Sequence, residues 1–388
     1  MMTIKIRTSK GDNVLTLADD NRHKIKEVEA FLQFLYKTGK SPNTIEAYCY
    51  SLKHYYEFLE EKGITYNDVF VENENYGPLD HFSDFIKYLQ YPEYFKGIIH
   101  FEGEEALLSN SSVNNILAAV FSFYDYLSKN KNLKGLDVYR DCFGGGHFKS
   151  FLHGMHIKAI KEHRNVLKLR TPKKQIMYLT TEEFEKIFNC AKNIRDKCFL
   201  AIGFYGGLRK SEILNLRISD IAFWDNRIDI VPREGNINGS RVKNYAEGSV
   251  YVPNEVMQLI VKYIGQGKKY NCDYLFINMR GKNKGKPMNA DNIDYIFREL
   301  SRLSGIKVKP HMLRHSFAVH RISEQGVNYS LVALQHDMRH KSIESTMIYA
   351  EFFNDAQREI ARQYFEQIGK DFSPNDLDFY EDIGGDLL

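Results

Sequence analysis

The chain has 388 residues, of which 43% are hydrophobic and 27% charged, and its 53 Lys and Arg side chains nearly balance 50 Asp and Glu. This length and composition are those of an ordinary globular protein with two or three domains. The sequence has no signal-peptide pattern after Met1 and no apolar run long enough to cross a bilayer, so we expect a cytoplasmic protein.

The charge is unevenly distributed along the chain. Residues 371–388 contain six Asp and Glu side chains and no Lys or Arg, which leaves the rest of the protein basic. A basic body is compatible with a polyanionic partner, although charge runs are commonly no more than solvated surface. We interpret 371–388 as an acidic C-terminal tail.

Helical periodicity dominates the first part of the chain. Residues 1–23 alternate weakly and predict a short hairpin or a loose arm. Apolar side chains then recur at helical spacing up to Gly39, a natural C-terminal cap, and the next helix begins with Ser41 as N-cap and Pro42 at its first position. The pattern continues to residue 168 and predicts an all-helical module. Its further helices are predicted near 80–89, from Ser111 or Ser112, and near 147–160.

A second module begins after a basic linker. The stretch "LRTPKK" contains Pro172 between basic residues, which is typical of an exposed linker. Thr180 and Glu183 then form a capping-box pattern that opens a new helix. Residues 227–231 and 249–252 alternate as strands, which predicts a mostly α chain whose second module is α+β, with helices and a small antiparallel β-sheet. The predicted boundaries are 1–23, 24–168, 169–178, 179–370 and 371–388.

The first motif that could do chemistry is "YGGLRKSEILNL". Its two glycines allow a tight turn, and Arg209 stands at the start of a helix. A cation at that position opposes the helix dipole, which favours an anion bound between the guanidinium and the exposed N–H groups. A solvated surface arginine is the better interpretation of this motif alone.

Two further motifs combine arginine, histidine and a single tyrosine. In "PHMLRHSFAVHRI", His311 and Arg314 lie three positions apart and share a helix face. Arginine offers a planar fork to phosphate oxygens, and histidine offers a proton near neutral pH. In "MRHKSIESTMIYAEF", Tyr349 follows His340 by nine positions. Taken singly, the motifs also fit a core-edge histidine, a surface arginine and a packed tyrosine.

Taken together, the motifs resemble the tyrosine recombinases, also called the phage-integrase family, whose relatives include the type IB topoisomerases. The order Arg, Lys, His-x-x-Arg, His, Tyr matches the family's catalytic boxes. "TGKSPNTIEAYCYSLKHYYEFLEEKGI" is similar to the start of its core-binding domain, and "TTEEFEKIF" is similar to the start of its catalytic domain. The resemblance covers most of the chain and implies a two-domain DNA clamp, with 24–168 as the core-binding domain and 179–370 as the catalytic domain.

The resemblance also implies a catalytic set and a reaction. In the family, two arginines clamp the scissile phosphate, and two histidines complete that pocket and help with proton transfer. A hairpin lysine protonates the leaving 5′ oxygen, and a tyrosine is the nucleophile that forms a 3′-phosphotyrosine without metal or ATP. The matching positions in this chain are Arg209, Lys243, His311, Arg314, His340 and Tyr349.

No motif in the sequence adds a cofactor to this expectation. The chain has no G-x-x-x-x-G-K-[ST] loop, no H-E-x-x-H motif and no acidic cluster spaced for two magnesium ions. The five cysteines are scattered and never spaced as CxxC, so we do not expect a zinc site. We expect a protein with no metal and no cofactor.

The sequence departs from the family pattern at two places. The stretch between the predicted strands is longer than usual and offers Arg233 and Arg241 besides Lys243. We favour the lysine because it comes shortly before the second strand. Arg339 stands where the family usually has glycine before its second histidine, which costs about 1 kcal/mol if that turn is left-handed. His315 matches a frequent family residue, to which we assign a supporting role.

Further residues are candidates for contacts with double-stranded DNA at specific core sites. Helix starts in the first module are rich in hydroxyl and amide side chains that suit phosphate and groove contacts, and the linker would cross the DNA backbone. Helix capping is the alternative explanation for several of these side chains. The candidates are Lys40, Ser41, Asn43, Thr44, Ser112, Asn114, Arg170, Lys173 and Lys174.

The resemblance finally implies partners and a biological role. It implies a homotetramer on two DNA sites and allows for an accessory DNA-bending or directionality factor. The amphipathic segment "NDAQREIARQYFEQIG" either passes to a neighbouring protomer or packs on its own domain. We expect a nucleoid-associated recombinase of a mobile element, acting as integrase or transposase. Topoisomerase-like DNA relaxation and architectural DNA binding without catalysis are the alternatives.

Overall fold

The structure is a computed structural model that divides into two compact units, unit 1 (Met1–Lys173) and unit 2 (Lys174–Leu388). Each unit has its own hydrophobic core. Within the residues described, no helix is long and apolar enough to cross a membrane. The structure describes residues 2–7, 13–70, 76–93, 105–131, 136, 139–143, 161–172, 175–240, 247–267, 270–325, 329–355, 358–359 and 362–363.

Helices form most of the described part of unit 1. Ser41 caps the second of them as predicted, because its hydroxyl accepts from the Thr44 N–H at 3.2 Å and Pro42 occupies the first helical position. The helices pack their apolar faces around fully buried aromatic side chains such as Tyr55 and Phe82. They are α1 (Lys26–Lys37), α2 (Pro42–Lys62), α3 (Pro78–Gln90) and α4 (Asn110–Lys131).

Unit 1 also contains two pairs of antiparallel strands. β1 (Met2–Arg7) pairs with β2 (Asn13–Ala18), which is the hairpin that was one of two predictions for the N-terminal arm. β3 (Tyr139–Phe143) pairs with β4 (Lys161–Asn165), so the first module is not all-helical as predicted. These strands are only 5 residues long and mix polar with apolar side chains, so pairing with the partner strand defines them rather than a periodic pattern. The helix predicted near 147–160 lies outside the described residues.

Unit 2 is mostly helical with one small sheet, which confirms the predicted fold class. The sheet has three antiparallel strands, adjacent in chain order: β5 (Ile221–Ala222), β6 (Arg227–Ile230) and β7 (Gly248–Tyr251). The sequence predicted the second and third strands, whereas the two-residue first strand is too short to show alternation. The helices are α5 (Thr181–Cys190), α6 (Ile194–Gly206), α7 (Lys210–Asn215), α8 (Asn254–Gly267), α9 (Ala290–Ser304), α10 (Pro310–Gln325) and α11 (Leu331–Asp337).

Helices α6 and α10 approach closely because α6 presents glycine to α10. A Cβ on Gly203 would lie 2.7 Å from Leu313 Cδ1. A Cβ on Gly207, which ends α6 with a left-handed φ of 62°, would overlap the Phe317 ring. This contact fixes the position of α10, which carries two of the predicted catalytic residues.

Gly207→Ala is expected to destabilise unit 2 more than Gly305→Ala. Both glycines have a left-handed φ, 62° and 72°, but a Cβ on Gly305 would meet no atom within 4 Å. The backbone conformation costs about 1–2 kcal/mol in either variant, and overlap with Phe317 adds about 1–3 kcal/mol in Gly207→Ala alone. Chemical denaturation of both variants measures the difference, and equal free energies of unfolding would contradict the close contact.

Candidate active site

Five of the six predicted catalytic residues lie in the described part of unit 2. The sixth, Lys243, lies outside the described residues. Each of the five stands near the end of a helix, where backbone groups and side chains can face a common space. Arg209 precedes α7, His311 and Arg314 lie in the first turns of α10, His340 follows α11, and Tyr349 ends the 3₁₀ turn Met347–Tyr349.

Arg314 is buried inside unit 2 and is held by backbone carbonyls. Its side chain is 1% exposed, Nη1 donates to the Gly207 carbonyl at 2.5 Å, and Nη2 donates to the Met338 carbonyl. These carbonyls close the C-terminal ends of α6 and α11, so the guanidinium fixes two helix ends. Burial and the positive charge of Arg209 lower the pKa of Arg314 to about 9, which leaves the guanidinium charged at neutral pH.

The buried carboxylate of Glu212 compensates the charge of the arginines. Its Oε1 accepts from Arg209 Nη1 at 2.5 Å, and its Oε2 accepts from the Arg209 N–H at 2.9 Å and from Arg339 Nη2 at 3.0 Å. Arg314 Nη1 lies 3.8 Å from Oε2. Burial alone would raise the pKa of Glu212, but the surrounding guanidiniums hold it below its usual value. The protein itself therefore supplies an anion beside Arg209, whose side chain is 20% exposed and paired rather than solvated as the motif alone suggested.

Arg339 adopts a left-handed backbone conformation, with a φ of 50°, so an arginine occupies the turn for which glycine is better suited. Its side chain is only 6% exposed. Nη1 donates to the Asp337 carbonyl at 2.9 Å, while Nη2 binds Glu212. The turn is closed by the His340 N–H, which donates to the Gln335 carbonyl at 2.9 Å. The same turn thus positions the guanidinium of Arg339 and the imidazole of His340 next to each other.

Tyr349 is buried and its hydroxyl meets a histidine of the same unit. The side chain is 1% exposed and packs in a small apolar cluster with Ile322 and Leu334. The hydroxyl oxygen lies 2.6 Å from His315 Nδ1. Burial raises the pKa of Tyr349 to about 12, although the charges of Arg314 and of the arginine before α7 act to lower it. The phenol is therefore protonated at neutral pH.

The histidines of the site differ in exposure and in contacts. Burial, then His311 and Arg314, lower the pKa of His315 to about 4. His311 is exposed, and its ring centroid lies 4.3 Å from that of His315. His340 Nδ1 lies 2.9 Å from the hydroxyl of buried Thr346, and burial together with nearby arginines lowers its pKa to about 4. His315, to which the sequence assigned only a supporting role, is therefore the histidine seen hydrogen-bonded to the candidate nucleophile.

One of the three cations proposed for the hairpin between β6 and β7 lies in the described residues. Arg233 makes a two-point ion pair with buried Asp220, at 2.5 and 2.9 Å. This pair attaches the loop to Asp220, and the choice among the three hairpin cations stays a prediction. Lys243 and Arg241 lie outside the described residues.

The site borders an open cavity of about 1000 Å³. Arg209, Arg339 and His340 line it, together with Gly248 and Ser249 of β7. Guanidinium and imidazole groups around an open space of this size can bind the phosphate of a larger ligand that remains partly in solvent.

The sequence did not single out Glu212 as part of the site. A signal was present, because Glu212 follows Arg209 by three positions, which is the spacing of neighbours on one helix turn. It is also the acid that precedes the apolar run Ile213, Leu214, which places it on a helix with a buried face. A charge in such a setting is rarely buried unless it is paired.

Five of the predicted DNA-contacting residues are exposed or undescribed. Lys40, Asn43 and Arg170 are exposed on unit 1, where a phosphate could reach them. Lys173 and Lys174 lie outside the described residues. For all five, DNA contact stays a prediction.

The remaining four have roles within unit 1. Ser41 and Thr44 are hydrogen-bonded at the start of α2, and Ser112 is bonded at the start of α4, in agreement with the capping alternative. Asn114 donates to the Leu169 carbonyl and accepts from the Leu169 N–H, both at 2.9 Å. The amide of Asn114 is therefore engaged by the backbone of its own unit.

Comparison with known proteins identifies the family of the chain. Residues 177–355 match the model of the phage integrase family, and all five described candidate residues lie in that stretch. The chain belongs to the phage integrase family, which confirms the resemblance seen in the motifs. It is 36% identical over 333 residues to Transposase A from transposon Tn554 of Staphylococcus aureus, which covers 85% of this chain and 88% of that protein.

A further relative and two solved structures extend the comparison. Tyrosine recombinase XerA of Pyrococcus horikoshii is 26% identical over 332 residues, with 86% of this chain and 91% of that protein covered. The XerH site-specific recombinase in a post-cleavage complex with its palindromic difH substrate has a TM-score of 0.55 at 18% identity, covering 89% of each chain. The Tn1549 transposon integrase with circular intermediate DNA has a TM-score of 0.50 at 16% identity, covering 80% of this chain and 99% of that one. These likenesses confirm the fold.

Glu212→Gln is expected to destabilise unit 2 by about 3 kcal/mol at neutral pH, because it leaves buried guanidiniums without their carboxylate. The matched control is Glu299→Gln, which removes an exposed carboxylate paired with Arg302 at 3.1 Å and should cause no measurable change. Chemical denaturation of the two variants and the wild type measures the effect.

The loss of stability in Glu212→Gln should depend on pH. Because the pKa of Glu212 is held below its usual value, its stabilising contribution is present above the unfolded-state pKa and is lost as pH falls through the folded-state value. The unfolding free energies of the wild type and Glu212→Gln should therefore converge in acid. A deficit that persisted unchanged into acid would contradict an ionised Glu212.

Proposed function

We propose that the protein is a site-specific DNA recombinase that cuts and rejoins DNA through a 3′-phosphotyrosine formed on Tyr349. The observation that carries this proposal is the arrangement of unit 2 around the hydroxyl of Tyr349. Tyr349 is buried, and its hydroxyl oxygen lies 2.6 Å from His315 Nδ1. Burial raises the pKa of Tyr349, and the charges of Arg314 and Arg209 act to lower it. This is the arrangement that attack by tyrosine on a phosphodiester needs.

The scissile phosphate would bind with its non-bridging oxygens on Arg209 and Arg314. Preorganised donors of this kind lower the barrier by about 3 kcal/mol each. Both guanidiniums are already held, Arg209 by a carboxylate and Arg314 by two carbonyls, so a phosphate would bind through their remaining N–H donors. His340, which lines the same cavity as Arg209, would complete the phosphate pocket.

Bond formation would begin when the Tyr349 oxygen attacks phosphorus and its proton moves to His315, whose Nδ1 lies 2.6 Å away. Exposed His311, which lies against His315, would pass the proton to solvent. The bond between phosphorus and the 5′ oxygen breaks, and Lys243 is our proposed donor of the proton that this oxygen takes. A second 5′ hydroxyl then reverses the steps on a new strand, so the exchange balances without ATP or a metal ion.

Binding of DNA would also strengthen the base. The positive charge of Arg314 is one reason why the pKa of His315 is lowered to about 4. A phosphate anion on that guanidinium offsets its charge, which raises the pKa of His315 toward the ordinary value. The same anion offsets the arginine charges that act to lower the pKa of Tyr349, so the pKa values of the phenol and of His315 would rise together.

We infer that the reaction serves a mobile element, as integrase or transposase. The Tn554 relative is a transposase, and it is 36% identical across 85% of this chain. Recombination would join two DNA sites, for which we propose a homotetramer with or without an accessory DNA-bending factor. One alternative, relaxation of supercoils, would use the same chemistry on a single DNA site. The other, an architectural role, would leave the cluster of tyrosine and arginines unexplained. The relatives favour recombination over both.

We propose 24–168 as the DNA-binding domain and 179–370 as the catalytic domain. The division between the two compact units falls after Lys173, within the proposed linker 169–178. Lys40 and Arg170 are exposed cations of unit 1 and suit contacts with the DNA backbone.

Tyr349→Phe should abolish covalent capture of a nicked suicide duplex and leave DNA binding unchanged, because only the nucleophilic oxygen is removed. The control is Tyr329→Phe, which removes another hydroxyl of the same apolar cluster, bonded to Asp337 at 2.7 Å, and should still form the adduct. Denaturing electrophoresis detects the adduct. A wild-type protein that never becomes linked to DNA would overturn the proposed function.

Lys40→Ala and Arg170→Ala should each weaken DNA binding uniformly across sequences. The slope of log affinity against log salt concentration is negative, and the loss of one phosphate contact reduces its magnitude by about 1. Lys129→Ala is the control, since Lys129 is an exposed lysine of the same unit that already pairs with Asp125 at 2.8 Å. Binding titrations at several salt concentrations give the slopes, and identical slopes for all three variants would exclude these two contacts.

A further inference from the structure

We propose that Arg339 is a positioning residue of this catalytic site: it holds the Glu212 carboxylate so that Arg209 faces the phosphate, and it adds a positive charge beside His340. The inference rests on the proposed function. It concerns a residue outside the six-residue catalytic set, at a position where the family usually has glycine.

Arg339 is placed against several physical preferences at once. Its φ of 50° lies in a region that residues other than glycine rarely adopt. Its side chain is 6% exposed, so a cation has been moved away from water. Its Nε is buried and has no hydrogen-bond partner among the residues that the structure describes. A residue that combines three unfavourable features is typical of a functional site rather than of a stabilising ion pair.

The contacts of Arg339 show what it positions. Its Nη2 and the Arg209 N–H both bind Glu212 Oε2, at 3.0 and 2.9 Å, which leaves Oε1 to Arg209 Nη1 at 2.5 Å. The other end of the guanidinium is anchored on the Asp337 carbonyl, and a Cβ on Gly248 would come within 3.0 Å of Arg339 Cδ. Arg339 therefore fixes the rotation of the carboxylate that orients Arg209, and it is itself held between α11 and β7.

Arg339 also changes the charge of the site. Three guanidiniums face the one carboxylate of Glu212, so the cluster keeps a net positive charge to which Arg339 contributes. His340 lies in this field: burial, then Arg314, Arg209 and Arg339 lower its pKa, and Glu212 opposes them. Among the residues that the structure describes, the other titratable groups that line the cavity are Glu247, His336 and Lys341.

The test begins with Arg339→Gly, which removes the guanidinium and relieves the left-handed backbone. The first-order rate constant of adduct formation on a nicked suicide duplex, at saturating DNA, should fall by about 10- to 100-fold, as expected for a displaced catalytic group. Arg339→Lys keeps the charge but not the two-point hold, so it should recover part of the rate. Arg339→Asn, which also tolerates a left-handed φ, replaces the glycine variant if that protein does not fold.

A second readout needs no DNA. Titration of the His340 ring by NMR, assigned from the signal lost in His340→Gln, should give a higher pKa in Arg339→Gly than in the wild type and an unchanged low value in Arg339→Lys. A purely structural role would lower the melting temperature and slow the reaction without moving the pKa of His340.

The outcomes separate this inference from the proposed function. A wild type that forms no adduct overturns the proposed function, and the His340 titration then decides the electrostatic part of the inference. An adduct rate in Arg339→Gly equal to that of the wild type, or an unchanged His340 pKa, overturns the role of Arg339. A slower rate with a raised His340 pKa supports it.

Discussion

The carboxylate of Glu212 makes a cluster of arginines compatible with the interior of unit 2. Each guanidinium would be strongly destabilising if it were buried alone, and like charges close together would repel one another. Glu212 is fully buried and binds Arg209 and Arg339 directly, with Arg314 close by. Arg209 lies at the start of α7, Arg314 in α10 and Arg339 in the turn after α11. The cationic site and this part of the core are therefore held together by the same buried contacts.

A second constraint follows from burial around the nucleophile. Tyr349 has a pKa raised to about 12, and its partner His315 has a pKa lowered to about 4, so the pair holds its proton firmly in the absence of DNA. The resting phenol is a poor nucleophile, which suits the proposed recombinase, whose covalent intermediate would form only on a bound substrate.

The sequence predicted what depends on neighbours along the chain. Ser41 caps α2, and Thr180 with Glu183 forms the capping box of α5, because both features are local. The helical fold class, two strands of the sheet and the family followed from periodicity and from the order of motifs.

Contacts between distant segments were not predictable. The β3–β4 pair carries no periodic signal, the pair of Arg233 with Asp220 needed tertiary structure, and so did the choice of His315 over His311 at the tyrosine.

The carbonyl contacts of Arg314 limit what the presence of this arginine indicates in related sequences. Because this side chain joins the C-terminal ends of α6 and α11 through Gly207 and Met338, its loss would damage the scaffold as well as the chemistry. A descendant that had abandoned strand exchange and retained only the architecture would still be under selection to keep this arginine. Its presence in a related sequence is thus a poor diagnostic of activity. The hydroxyl of the tyrosine is the more informative marker, because a phenylalanine could fill the same buried position in the apolar cluster without it.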